Sequence, residues 1–313
     1  MSFRVDKPRC STKSSFVGCL LAHAIAAQRA PDLHQKPSQA GMRDEVVYQQ
    51  IIVRGYTEGK GRLDLAKIRM NLQQGLVVES GKVLLAEHFC DAEPDFHRLA
   101  EAKKNAAPVN ARALDKKRIG GPGFAAHVSA VGLFHRNDIG RIVEDSFQIG
   151  PLTHRQMTAV SAGMVTALAI AFAVTEGNNP EAIIARVMNT LKTPLLASRV
   201  PVQLMRKLIK VEGLLKRSSD TAHGTSELRS KPRRTALDVV PGAIYAALNG
   251  ARSLGGLLGP LKIFSNYKSG AIAASIWGAM HGVEAIPEHY LTDLEYGQTI
   301  IENATGLYEA TVA

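Results

Sequence analysis

The sequence predicts a mainly α-helical fold, and three observations carry that expectation. Aromatic residues are only 5% of the 313 residues while alanine and glycine are plentiful, a mix that suits closely packed helices better than β-sandwich strands. Runs that alternate apolar and polar residues are scarce. Apolar residues instead recur at helical spacing, as at Val47, Ile51 and Ile52. With 45% hydrophobic and 21% charged residues the balance is that of an ordinary globular protein, long enough to bury one large core.

Residues 1–13 are basic and Ser-containing and are expected to form a flexible N-terminus. Asp6 and the shortness of the stretch argue against a mitochondrial presequence. Residues 14–313 read as one domain. Residues 14–29 read as a helix that Ser14 or Ser15 can cap, and its small residues invite tight packing. Two prolines and a glycine make 31–41 a loop. Residues 44–56 form a second helix, its opening acids matched to the positive helix end. A third helix spans 63–76. The breaker Gly120-Gly121-Pro122-Gly123 leads into helices at 125–135 and 138–148. An Ala-rich helix at 153–174 follows, then others at 180–191 and 200–215. Residues 218–232 are polar and poor in apolar side chains, so a flexible basic loop is expected near 216–234. Helices at 236–249, 270–282 and 291–308 complete the chain.

The net charge is +10, concentrated near 103–118 and 216–234, which raises the expectation of an anionic partner. Nucleic acid stays open but is not indicated, because no binding motif is present. Three cysteines without a C-x-x-C pair suggest neither disulfides nor zinc and fit a reducing, cytoplasmic setting. No apolar run is expected to reach transmembrane length. The longest, 159–174, is interrupted by Ser, Gly and Thr and reads as a buried helix, so no membrane partner is expected. No P-loop, dinucleotide fingerprint or G-x-S-x-G setting appears.

Three segments in order carry a family resemblance. Residues 121–133, GPGFAAHVSAVGL, resemble the signature G-N-G-A-A-M-R-x-A-P-L-G-L of the ADP-ribosylglycohydrolase family. Residues 152–174 resemble its threonine-histidine turn and alanine-rich helix. Residues 270–294 resemble its C-terminal Gly-Ala helix with the following I-P motif. The resemblance runs from about residue 14 to the end. It implies an all-α orthogonal helical bundle and hydrolysis of the bond between ADP-ribose and a side chain or small acceptor. It also implies two magnesium ions held by carboxylates.

Two magnesium ions about 4 Å apart need several carboxylates. The family's T-D-D-T is matched by Arg43-Asp44-Glu45-Val46, which keeps two acids, so Asp44 and Glu45 are the candidate catalytic residues. The same two acids suit an ordinary first helical turn. The family's second acidic motif falls at residues 263–268, where Ser265 and Tyr267 replace the aspartates and Lys268 the final threonine. No acid occurs from Ala251 to Val283. The resemblance therefore implies a degenerate member, with magnesium the family's cofactor but none expected here and no metal ligands assigned. Gly121 and Gly123 can present backbone amides to a phosphate. His127, Thr153 and His154 are candidate cleft residues, joined by Ser265, Tyr267 and Lys268 as ligand contacts. Lys268 could instead pair with Asp44 or Glu45 and hold two helices together. Gln156 stands where the family has an aspartate.

Three functions follow. The first is a pseudoenzyme binding an ADP-ribose-like nucleotide or a protein partner. The second is an active ADP-ribosylhydrolase with altered metal use, completed by acids such as Glu93, Asp95 or Glu144. The third is a structural protein, since lens proteins resemble this family.

Overall fold

The computed structural model describes residues 10–29, 44–59, 62–74, 120–154, 156–217, 220–228, 235–249, 253–261, 267–294 and 296–312. Every regular element among them is helical. In chain order these are α1 (Thr12–Arg29), α2 (Asp44–Thr57), α3 (Leu65–Gln74), α4 (Gly123–His127), α5 (Ser129–Phe134), α6 (Ile139–Thr153) and α7 (Met157–Glu176). Then follow α8 (Pro180–Leu191), α9 (Pro194–Ala197), α10 (Val202–Lys216), α11 (Thr221–Leu228) and α12 (Ala236–Leu248). The last are α13 (Leu254–Leu261), α14 (Tyr267–His281), a 3-10 turn (Val283–Ala285), α15 (Glu288–Thr292) and α16 (Gly297–Glu309).

Helix α7 is the axis of the fold. Residues 159–174 are all buried, and α4, α5, α6, α8, α12 and α14 pack on it. The helix has 20 residues, and an 18-residue stretch of it has a mean hydropathy of 2.0, enough by length and composition to cross a membrane. That corrects the expectation that no run reaches such length. Here the 83% burial comes from other helices of the same chain, so core packing accounts for the apolar sequence. Gly177 ends α7 at φ 61°, a conformation that costs a side-chain-bearing residue steric strain.

A second packing axis joins α1 to α14. Gly18 and Gly278 face each other so closely that a Cβ on Gly278 would lie 2.2 Å from the Gly18 carbonyl oxygen. Absence of side chains at both positions lets the two backbones touch near the C-terminal end of α14. Helix α16 packs on α1 and α2.

Local chemistry explains the element ends. Asp138 caps α6 by accepting from the Arg141 amide at 3.0 Å, and Asn179 caps α8 by accepting from Ala182 at 3.1 Å. Several expectations change. The first helix starts at Thr12, because Ser11 Oγ accepts from the Ser14 amide at 3.1 Å. Ser14 Oγ instead accepts from the Val283 amide at 3.0 Å, and the Cys10 thiol donates to the Met280 carbonyl at 3.7 Å. Residues 10–13 are thus built into the fold rather than part of a flexible N-terminus, while 1–9 lie outside the described residues. The helix expected at 153–174 is two helices, broken where His154 and Gln156 are extended. That expected at 291–308 is likewise split, into α15 and α16.

The loop expected near 216–234 contains α11. Asp220 accepts from the Ala222 and His223 amides at 3.1 and 3.2 Å, Thr225 and Leu228 are buried, and Lys210 donates to the Glu227 carbonyl at 2.8 Å. Few apolar residues suffice because α10 and α12 supply the packing surface. Helices α9 and α13 were also not expected.

Candidate functional site

The site is built around α4, a single buried turn that touches α2, α7, α12 and α14. Its approach, the Gly120–Gly123 breaker, is tied down at both edges. The Gly120 carbonyl accepts from the Ala236 amide at 3.0 Å, and the Gly120 amide donates to Gln156 Oε1. Gln156 is thus an anchor for the loop. Gly121 and Gly123 are both buried in this turn.

His154 lies just past α6 and holds the start of α4. Its Nε2 accepts the Phe124 backbone N–H at 3.1 Å, which places the ring proton on Nδ1, donated to Thr153 Oγ1 at 2.8 Å. Thr153 Oγ1 in turn lies 3.4 Å from the Gly150 carbonyl. Both side chains are therefore at the site, and these hydrogen bonds make them part of its frame.

His127 ends α4 with its ring 6.0 Å from His154, 5.5 Å from Tyr48 on α2 and 5.9 Å from Phe124, centroid to centroid. Burial first, then the charges of His154, Lys268 and His23, hold the His127 imidazole well below the usual histidine range. Lys268, the second residue of α14, is only 8% exposed, and its charge is felt at His127. His23 enters from α1, its Nδ1 donating to Ser275 Oγ at 3.1 Å while Ser275 donates to the Ala271 carbonyl at 2.9 Å.

The structure thus brings together Gly121, Gly123, His127, Thr153, His154 and Lys268 from the sequence-predicted set. Asp44 and Glu45 open α2, which packs on α4, but their side chains, like that of Tyr267 at the start of α14, lie outside the described residues. Ser265 lies outside them altogether, as do Glu93 and Asp95. Glu144 is on the outer face of α6, ion-paired to Arg141 at 3.0 Å. Sequence reasoning left out His23, Tyr48 and Phe124. Tyr48 had a signal, standing one helical turn after Asp44.

Among the described residues, the buried carboxylates are Asp145 and Asp238, and both are engaged away from His127. Asp145 Oδ2 accepts from Tyr56 at 2.6 Å and lies 2.7 Å from His135 Nε2; burial and then Asp145 itself push the Tyr56 phenol well above its usual range. Asp238 accepts from Thr235 at 2.7 Å and lies 3.6 Å from Lys207. Also among the described residues, no three His, Cys, Asp or Glu side chains converge as a metal site. Chemically, the described part of the cleft offers aromatic faces, a neutral imidazole and a buried ammonium.

Comparison with known proteins matches the model of the ADP-ribosylglycohydrolase family over residues 11–313. The chain belongs to the ADP-ribosylglycohydrolase family. No curated protein sequence matches it. A solved ADP-ribosylglycohydrolase-related protein complex contains a chain of the same fold, with a TM-score of 0.64 at 16% identity over 96% of this chain and 99% of that one. At that identity the likeness speaks for the all-α fold of the ADP-ribosylglycohydrolases. It leaves individual side chains to be judged from this chain's own geometry.

Proposed function

We propose that this ADP-ribosylglycohydrolase-family chain keeps the cleft as a binding site for an ADP-ribose-like nucleotide and has given up dimagnesium hydrolysis. The observation that carries the reading is Lys268, buried at the start of α14, its positive charge felt at His127. The resemblance puts the second set of metal-binding acids there. Magnesium takes hard oxygen ligands. The described groups in this place are an ammonium, which repels dications, and three imidazoles, which are not the hard oxygen donors that magnesium takes. No acid occurs between Ala251 and Val283 to replace it. No metal-dependent step is therefore assigned to this chain. Tyr48 and His127 would contribute ring faces to a base or ribose, and the Gly121–Gly123 backbone would approach the phosphates. Cys10 and Cys19 are free thiols, in keeping with a cytoplasmic setting.

The test is calorimetric titration with ADP-ribose, with and without magnesium, on samples also assayed for release of ADP-ribose from modified arginine and serine peptides. Binding that ignores magnesium, with no release, is expected. Magnesium-dependent binding with release would overturn the proposal in favour of an active hydrolase completed by other acids. No binding at all would favour a protein partner or a structural role.

A further inference from the structure

The basic charge is not spread over the molecule. Residues 192–234 hold eleven lysines and arginines against three acids, a net +8 of the chain's +10. The structure shows what α10, the longest element of this stretch, turns outward. Leu204, Leu208, Val211 and Leu214 are buried, so the opposite side faces solvent. Along that side run Val202, Arg206, Ile209, Gly213 and Lys216, at spacings of four, three, four and three residues. Lys210 and Arg217 flank the stripe, and both are exposed. Val202 and Ile209 are 61% and 53% exposed, and Leu195, just before the helix on α9, is 52% exposed. A Cβ on Gly213 would meet nothing within 4 Å, so the stripe is uncovered at its middle.

Part of the charge is balanced internally: Lys207 by Asp238, Lys210 by Glu227 and Lys216 by Glu212. Lys192, Arg199, Arg206 and Arg217 form no ion pair among the described residues, and all four are exposed. The face is therefore a helix roughly 22 Å long, with exposed Val202 and Ile209 along its crest beside Arg206 and Lys216, and Lys210 and Arg217 along one flank.

We propose that this face docks on the surface of an anionic lipid bilayer, the helix axis lying parallel to it. Val202 and Ile209 would enter the boundary between headgroups and acyl chains, while Arg206 and Arg217 meet lipid phosphates and carboxylates. The lack of a membrane partner expected from sequence rested on spanning length; a peripheral contact needs none. Duplex nucleic acid would use the cations equally well, but it gives crest aliphatics nothing apolar to bury in. The proposal is independent of what the cleft binds.

The test is co-sedimentation of the full chain with vesicles of phosphatidylcholine plus phosphatidylserine, against vesicles of phosphatidylcholine alone, and against a short DNA duplex in the same buffer. Binding to the mixed vesicles only, weakened by salt, is expected. Arg206→Gln and Arg217→Gln should each weaken it about fivefold. The pair Val202→Ser and Ile209→Ser should weaken it by about tenfold or more while leaving the charge unchanged. Melting temperatures of these surface variants should match the parent, which separates lost docking from lost folding. Failure to sediment with anionic vesicles, indifference to the serine pair, or tighter binding to the duplex would each overturn the proposal.

Discussion

Gly278→Ala tests the backbone contact between α1 and α14. The added methyl would lie 2.2 Å from the Gly18 carbonyl oxygen, 2.5 Å from its carbon and 2.9 Å from the Cys19 nitrogen, against an ordinary contact of 3.4–4 Å. All three obstacles are backbone atoms of α1, so no side chain can swing aside and the two helices must part by about an ångström. Overpacking of this kind costs about 1–3 kcal/mol, and the rigidity of the obstacle puts it at the upper end. Helix propensity returns up to about 1 kcal/mol, leaving a net loss of about 2 kcal/mol. For 313 residues the unfolding entropy is about 0.66 kcal/mol per kelvin, so Tm should fall by about 3 °C. Gly213→Ala makes the same change in open space and should instead raise Tm by about 1 °C. Scanning calorimetry on both variants measures the contrast. If Gly278→Ala melts at or above the parent temperature, the claim that α1 and α14 meet backbone to backbone at Gly18 and Gly278 is wrong.

Two further predictions concern the cluster at α4. If Lys268 ties α14 to the acids that open α2, Lys268→Ala leaves a buried charge uncompensated, at a cost of about 3–5 kcal/mol. Tm should then drop by at least about 4 °C, and an unchanged Tm would remove that role. His127 is held well below the usual histidine range by burial and by His154, Lys268 and His23. As pH falls through about 6.5, the unfolded chain takes up a proton that the folded one refuses. Stability therefore declines on the acid side, by up to about 1.4 kcal/mol per pH unit for this one group. His127→Gln should flatten that slope; equal slopes for parent and variant between neutral and mildly acid pH would show that His127 titrates normally.

Much of the fold was legible because helices are local. Asn179 with Pro180, Asp138, and the Gly-Pro breaker before α4 set element ends through neighbours a few residues away. The family, too, was readable from short segments in the right order. Composition misled at 221–228, where a polar stretch forms α11 because neighbouring helices bury Thr225 and Leu228. The apolar run in α7 reads as a buried helix and is one: it is long enough for a bilayer yet covered by its own chain.

The site divides the same way. The sequence alone supplied its candidates: the two acids at 44–45, the turn at 121–123, and the lysine at 268 where the family carries no positive charge. Only the tertiary structure decided that His23, Tyr48, His127, His154 and Lys268, drawn from segments far apart in the chain, share one buried volume. It alone fixed that Gln156 and His154 hold the loop and start of α4, and that the crest of α10 is bare. The physical reason is that propensity and capping act within a turn or two of chain. Burial and the charge felt by a side chain depend on which distant helices arrive beside it, and that is set by contacts such as Gly18 against Gly278, which no local pattern encodes.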